Sequence, residues 1–389
     1  MRCGHWVCAR WICHSRPHAC GPCYGRPRGA RLRLSDRFRG WLKTRHAPSA
    51  EGPPEAQIHV VLLDGTMSSL TPGLETNVAR IWRLLQEVPG LCLYYEPGIQ
   101  WRGWRRGHEV MAGVGINRQI KRAYGFLAER YHPGDQIYFV GYSRGAYGVR
   151  ALAGLINRIG LLRADAVTHG RLEEVYDLYR HRPDSAEARA FAAEHCVPKV
   201  QIDAVCVFDT VRALGIRWPL VWRFAPAVHE FHSNVLGRSV RRGFHALAMG
   251  ETRLAYAPQL WEVPEHRLSD VKQVWFRGSH GDVGGHIGEF APARGLGNVP
   301  LVWMLEQMEA TGLPLPAQWA RRFPQDATAP SAGSTRGFGK FFLARRRRVL
   351  GRDPSEVVHP SAEASLPRGV RLPRLETAAS GEPETQGGI

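Results

Sequence analysis

The stretch that decides the fold is Gln136-Ile-Tyr-Phe-Val140 followed by Gly141-Tyr142-Ser143-Arg144-Gly145. An apolar run of this length predicts a buried strand, and the residues that follow it predict a helix over 145–159. A serine on so sharp a turn adopts strained backbone angles, and only glycine fits two positions on either side of it. The sequence therefore predicts that Ser143 stands above a sheet as a nucleophile. The backbone N–H of Arg144, at the helix N-terminus, would then face a developing oxyanion.

Apolar runs alternate with helical patterns on both sides of this stretch. The further predicted strands cover residues 58–63, 91–95, 200–208 and 271–276. The further predicted helices cover residues 77–88, 116–131, 171–181, 185–195, 239–250 and 299–311. Strands that alternate with helices imply a parallel sheet. We therefore expect an α/β-hydrolase-like fold, with a mostly parallel central sheet and helices on both of its faces.

The length and composition bound the domain organisation. The chain has 389 residues, 44% of them hydrophobic, which is enough for one large core. We expect a basic, Cys- and Arg-rich disordered extension over 1–55, a catalytic domain over 56–313 and a partly disordered Pro-, Ala- and Arg-rich segment over 314–389. The sequence predicts neither a signal peptide nor a membrane-spanning helix. It thus favours a cytoplasmic protein, or delivery to another compartment by a non-classical route.

The charge and the cysteines are concentrated at the ends of the chain. The net charge is +17, but most of it lies outside the middle of the sequence, so we expect no nucleic-acid partner. The body shows no disulfide pattern. Cys20-Gly-Pro-Cys23, with His14 and His18, matches half of a zinc site, but a second Cys/His pair at regular spacing is missing. A loosely ordered arm is therefore favoured, and no cofactor or metal is predicted.

A nucleophilic serine needs a histidine that takes its proton and a carboxylate that orients the histidine. Asp209 follows the strand at 200–208 and His280 follows the last strand, so both lie at the edge where open α/β sheets assemble their sites. We predict Asp209 as the acid and His280 as the base. Three alternatives stay open, two in the loop of His280 and one on the helix predicted over 239–250: Asp282, His286 and His245.

The turn Asp64-Gly65-Thr66 ends the first strand at the same edge. We expect its backbone N–H groups to supply a second oxyanion donor and the Asp64 carboxylate to brace the loop. Carboxylates at strand ends also hold Mg²⁺ in phosphotransfer enzymes, which would involve Asp64, Asp209 and Asp282. No phosphate-binding G-x-x-x-x-G-K-[ST] motif is present, and a metal site would leave the turn at Ser143 unexplained.

With these elements in order, the chain resembles the α/β-hydrolase domains catalogued as domain of unknown function 2235, which include type VI secretion phospholipase effectors. The resembling segments are VVLLDGT (60–66), YYEPGI (94–99), the stretch 116–156, VCVFDTVRALG (205–215), the stretch 244–261 and VWFRGSHGDVGGH (274–286). The resemblance implies ester hydrolysis by Ser143, on phospholipid acyl bonds, with partners in the loops of Asp209 and His280. The chain departs from the family pattern at Met67-Ser68 and at Gly281.

The main hypothesis is a serine esterase or lipase that acts on phospholipid or other lipid esters through an acyl-enzyme. The alternatives are a non-catalytic binding module and a thioesterase or peptidase on the same scaffold. The basic run Arg345–Arg348, beside Phe341-Phe342-Leu343, is either a peripheral contact with an anionic membrane or a solvated segment. The sequence does not identify a secretion or immunity partner.

Overall fold

The computed structural model describes most of the chain. The described residues are 10–13, 56–98, 114–211, 234–335 and 342–375. The hypothetical zinc ligands between residues 14 and 23 lie outside the described residues. In the described residues no helix is long and apolar enough to cross a membrane.

A single large sheet organises the described residues. The strands are β1 (Arg10–Cys13), β2 (Ile58–Leu63), β3 (Leu91–Glu96), β4 (Gln136–Tyr142), β5 (Leu161–Leu162), β6 (Cys196–Val197), β7 (Ile202–Phe208), β8 (Val240–Ala248), β9 (Val271–Phe276) and β10 (Glu356–Val358). The sheet order is β1-β3-β2-β4-β7-β8-β9-β10, and β5 pairs separately with β6. Within the large sheet, neighbouring strands are parallel except β1, which is antiparallel to β3. The carboxyl ends of the parallel strands therefore meet at one edge.

Helices cover both faces of this sheet. They are α1 (Asn77–Leu85), α2 (Val114–Ala128), α3 (Arg144–Arg158), α4 (His169–His181), α5 (Ala186–His195), α6 (His280–Gly284) and α7 (Arg294–Ala310). Val60 and Leu62 of β2 belong to the core cluster that includes α1 and α7, whereas Val61 and Leu63 belong to the cluster with α2 and α3. Because successive side chains of a strand point to opposite faces, two cores form. The predicted fold class is confirmed.

The helix predicted over 239–250 is wrong. This segment is β8, a strand of nine residues that lies between β7 and β9, and His245 lies on it. Its Ala, Leu and Met content favours a helix in isolation, but the last six residues of the strand are all buried, with β7 on one side and β9 on the other. Burial in the sheet outweighs the local preference.

The segment after residue 313 contributes to the sheet. Glu356–Val358 form β10, which adds in parallel to β9 with Val357 opposite Val274. The sequence pattern does not indicate a strand there, because the segment is three residues long and lacks a sustained apolar period. Because the pairing is parallel, the carboxyl end of β10 lies at the same edge of the sheet as the carboxyl end of β9.

Candidate active site

Ser143 stands on a strained turn between β4 and α3. Its backbone has φ 57° and ψ −119°, which a residue with a side chain adopts only when the surroundings enforce it. The two glycines that flank the turn pack so closely against neighbouring backbone that neither position has space for a side chain. A Cβ on Gly141 would press on Ala146, and a Cβ on Gly145 would overlap the carbonyl oxygen of Leu63 in β2. The glycines thus let α3 begin directly against the central strands.

Ser143, His280 and Asp209 form one chain of hydrogen bonds. The Ser143 Oγ is 2.9 Å from His280 Nε2, and His280 Nδ1 is 2.6 Å from Asp209 Oδ2. When Nδ1–H donates to the carboxylate, Nε2 is left to accept the proton of the serine hydroxyl. The sheet sets part of this spacing, because the Ser143 amide donates to the carbonyl of Phe208, the residue before Asp209 (3.0 Å). The structure brings together the three residues that the sequence selects first.

Three contacts hold His280 in place, one to its backbone amide and two to its ring. His280 is the first residue of α6, and its amide donates to Glu251 Oε2 at 3.3 Å. Its ring packs between the rings of Tyr142 and Tyr256, each with a centroid separation of 4.8 Å. This packing fixes the plane in which the two ring nitrogens reach their partners.

Asp209 is fully buried and accepts four hydrogen bonds. Oδ1 accepts from the Ala248 amide (3.0 Å) and from Nη1 of Arg348 (2.5 Å), and Oδ2 accepts from His280 and from Nη2 of Arg348 (2.8 Å). Burial raises the pKa of this carboxyl, but the Arg348 guanidinium and the His280 hydrogen bond outweigh that effect. They hold the pKa below its ordinary value. Asp209 is therefore a carboxylate at neutral pH.

Two residues of the site, Ser143 and Asp209, have strained backbone angles. Five non-glycine residues in the described ranges have positive φ: Met67, Ser143, Lys199, Asp209 and Gln318. Asp209 has φ 42°, and Met67, which follows the Asp64–Thr66 turn, has φ 60°. Residues in such conformations persist where the surrounding structure over-determines them, as it does in active sites.

Asp282, the alternative acid, braces α6 and does not contact the His280 ring. Its carboxylate accepts from the Ser279 amide (2.7 Å), the Ser331 hydroxyl and the Ala332 amide (2.8 Å). These bonds fix the start of the helix that carries His280. In the ranges that the structure describes, no three His, Cys, Asp or Glu side chains form a group able to hold a metal ion.

The two alternative histidines occupy other positions, His245 on β8 and His286 just after α6. His245 is buried on β8, where Nε2 accepts from the Thr210 amide (3.1 Å) and Nδ1 lies 3.3 Å from Gln273 Oε1. Burial lowers the pKa of His245 to about 3, so its ring is neutral and structural. Burial also lowers the pKa of His286, which follows α6. In the described residues it is His280 that hydrogen-bonds Ser143 Oγ.

The Asp64-Gly65-Thr66 turn is tied to its own carboxylate. Asp64 Oδ1 accepts from the Gly65 amide (2.7 Å), and Oδ2 accepts from the hydroxyls of Thr76 (2.7 Å) and Tyr95 (2.8 Å). Burial raises the pKa of Asp64 to about 6, because these neutral donors lower it by less. Asp64 therefore braces the loop, and the Gly65 N–H is engaged within the turn.

Two polar groups beside Ser143 remain candidates for an oxyanion site. The Arg144 amide belongs to the first turn of α3, where backbone N–H groups have no acceptor within the helix. The Thr66 hydroxyl oxygen is buried and has no partner among the described residues. Its turn packs on the residue before the nucleophile, since a Cβ on Gly65 would lie 2.5 Å from the Tyr142 ring.

The contact of Arg348 with Asp209 was not predicted from the sequence. The basic run was expected to face a membrane or solvent, but it divides between the inside and the outside. Arg348 binds Asp209, and Arg345 donates to Thr252 and Ser334, whereas Arg346 and Arg347 are exposed. Local sequence carries no signal for this division, because four identical residues have different surroundings in the fold.

The comparisons with known proteins extend over the same elements. A family model described as type VI secretion system phospholipase effector Tle1-like, catalytic domain, matches residues 57–307. The uncharacterized protein YEL023C of Saccharomyces cerevisiae is 28% identical over 236 residues, which are 52% of this chain and 34% of that protein. This chain therefore spans about a third of that relative's length.

Two solved structures are similar at low identity. An uncharacterized protein from Pseudomonas aeruginosa has a TM-score of 0.39 and 15% identity, covering 69% of this chain and 49% of that one. The Tle1 effector bound to the VgrG spike from the type 6 secretion system has a TM-score of 0.30 and 17% identity, covering 62% and 56%.

The resemblance read from the sequence motifs is confirmed by the family model. Its match covers more than half of the chain and includes the turn at Ser143 and the loops of Asp209 and His280. By this match the chain belongs to the family of Tle1-like phospholipase effectors of the type VI secretion system, through their catalytic domain.

Proposed function

We propose that this protein hydrolyses carboxylic esters of lipids, with phospholipids as the substrate class, through an acyl-enzyme on Ser143. The observation that carries the proposal is the unbroken hydrogen-bonded chain from Ser143 Oγ through His280 to Asp209. A serine hydroxyl becomes a nucleophile when a histidine takes its proton and a carboxylate stabilises the resulting imidazolium. Family membership supports the lipid substrate.

The proposed reaction has two steps. In the first, Ser143 Oγ attacks the ester carbonyl, and His280 takes the hydroxyl proton and passes it to the leaving alcohol. In the second, water gives a proton to His280 and attacks the acyl-serine, which releases the fatty acid and restores the hydroxyl. The Arg144 amide and the Thr66 turn would stabilise the oxyanion that forms in each step.

Labelling with a fluorophosphonate tests the nucleophile. We expect the wild-type protein to be labelled and Ser143→Ala to be unlabelled. Ser269→Ala, an exposed serine before β9, serves as the matched control and should label like the wild type. Absence of labelling in folded wild-type protein would favour a non-catalytic binding module. Fatty-acid release from phospholipid vesicles, compared with thioester and peptide cleavage, then tests the substrate class.

We also propose a peripheral membrane contact through the outward face of the C-terminal basic run. Leu343 is 79% exposed and Val349 is 55% exposed, and the exposed Arg346 and Arg347 lie between them. Apolar side chains that enter the interface, combined with arginines near anionic headgroups, are the two contributions that such contacts use. Delivery by a type VI secretion apparatus, and a secretion or immunity partner, remain predictions from the family.

Vesicle sedimentation tests this contact. We expect binding to vesicles that contain phosphatidylglycerol, weakening as salt rises, and loss of binding in the double variant Arg346→Glu and Arg347→Glu. The control is Arg189→Glu, an exposed arginine on α5. Equal binding by the double variant and the control would remove this face as the contact.

A further inference from the structure

Arg348 reaches the candidate active site from outside the family match. The match ends at residue 307, and Arg348 lies 139 residues after Asp209 in the sequence. Its side chain is 4% exposed. Nη1 donates to Oδ1 of Asp209 and Nη2 donates to Oδ2, so the planar guanidinium binds both oxygens of one carboxylate. This two-point geometry is specific to arginine, since a lysine ammonium is a point charge.

The same guanidinium ties Asp209 to the elements that flank His280. Nη1 also donates to the Ala248 carbonyl at the end of β8 (2.8 Å), and Nη2 donates to the Tyr256 carbonyl (2.6 Å). The Ala248 amide donates to Asp209, and the Tyr256 ring packs on His280. A single side chain therefore connects the carboxylate, its strand and the packing of the histidine.

The segment that carries Arg348 is fixed by its own contacts. The Leu254 amide donates to the Ala344 carbonyl (3.0 Å), and the Arg346 amide donates to the Thr252 carbonyl (2.7 Å). Arg345 donates to the hydroxyl of Thr252 at 3.0 Å. The position of Arg348 is thus set by backbone pairing with the stretch that leads into Tyr256.

Two ion pairs flank His280, and in each of them an arginine neutralises the carboxylate that contacts the histidine. Its ring bonds the carboxylate of Asp209, which Arg348 neutralises, and its amide bonds the carboxylate of Glu251, which Arg253 neutralises (2.6 Å). The titratable or charged groups around His280 include Asp209, Glu251, Arg253, Arg348, His286, Tyr142 and Tyr256, and Asp282 lies two residues further along α6. Both carboxylates that contact His280 are thus paired with an arginine.

We propose that Arg348 is a positioning residue for the hydrolysis: it fixes both oxygens of Asp209 and neutralises the carboxylate that faces His280. This inference rests on the proposed function. An unpaired buried carboxylate would stabilise the imidazolium strongly and keep the ring protonated to higher pH. The guanidinium compensates that charge, and its bond to Oδ2 holds the oxygen that faces His280 Nδ1.

Three variants separate charge from geometry. Arg348→Met removes the charge, Arg348→Lys keeps the charge without the two-point contact, and Arg352→Met, at an exposed arginine of the same segment, is the control. We would follow the titration of the His280 ring by NMR in a Ser143→Ala background, and the acid limb of kcat/KM in the active protein. For Arg348→Met we expect the midpoint of the NMR titration and the acid limb of kcat/KM to move to higher pH by about one unit or more.

For Arg348→Lys we expect the acid limb to stay near that of the wild type while kcat falls, and for Arg352→Met we expect no change in either. Arg348→Met with the wild-type His280 titration overturns the proposal. If Arg348→Met does not fold, Arg348→Lys with the wild-type kcat, or with a displaced acid limb, overturns it. The NMR titration needs no turnover, so a failure of ester hydrolysis, shown by absent fluorophosphonate labelling, is distinguishable from a failure of this inference.

Discussion

Two buried aspartates at the same edge of the sheet behave in opposite ways. Asp64 follows β2 and Asp209 follows β7, and both are at most 1% exposed. Burial raises the pKa of Asp64 to about 6, whereas the pKa of Asp209 lies below its ordinary value. Asp64 has neutral donors, and Asp209 has Arg348 and a histidine. The charge of the partners, more than depth or the number of hydrogen bonds, thus decides whether the effect of burial on the pKa of a carboxyl is outweighed.

The largest expected effect is that of Asp209→Asn, which changes the partner of the His280 Nδ1 proton. Asp209→Asn leaves the shape of the site but replaces an acceptor of the His280 Nδ1 proton by an amide, which favours the wrong tautomer. We expect kcat/KM to fall by about 10⁴-fold. Steady-state kinetics with a lipid ester, alongside thermal unfolding to verify the fold, check this. Retention of a tenth of the activity would contradict the role given to Asp209.

A second prediction concerns Asp64 and uses pH. Its folded pKa of about 6 lies above the ordinary 3.8, so its contribution to stability is full below the unfolded value and is lost as pH rises through the folded value. Relative to Asp64→Asn, the wild type should lose up to about 3 kcal/mol of unfolding free energy between pH 4 and pH 7. Urea unfolding of both proteins at several pH values measures the difference, and a difference independent of pH would show that Asp64 is ionised throughout.

A smaller effect is expected when one of the neutral donors to Asp64 is removed. Thr76 donates to Asp64 and, as the N-cap of α1, accepts from the Ala79 amide (3.1 Å). Thr76→Val removes both bonds and should cost about 1–2 kcal/mol of unfolding free energy at pH 7. Thr76→Ser keeps both and should remain within a few tenths of a kcal/mol of the wild type. Denaturant unfolding distinguishes them, and equal stability of the two variants would mean that the hydroxyl contributes little.

The sequence predicts the parts of the site that depend on local pattern. Ser143 follows from a strand, two glycines and a helix within a short window, and Asp209 and His280 follow from their places just after apolar strands. Arg348 was missed because its partner is distant in sequence and its neighbours are chemically identical to it. The strand β8 was missed because burial by two other strands, which local composition does not record, decides its conformation.

The hydrogen bond from the Ser143 amide to the Phe208 carbonyl holds Ser143 and Asp209 side by side at the ends of two adjacent parallel strands, β4 and β7. The connection between them, which contains α3, α4 and α5, can therefore gain or lose residues in relatives without altering the distance across the site. A single-residue insertion within β4 or β7 would instead slip the register and move the side chains beyond it from one core to the other. Natural variation in length should accordingly gather in the connection and avoid the two strands.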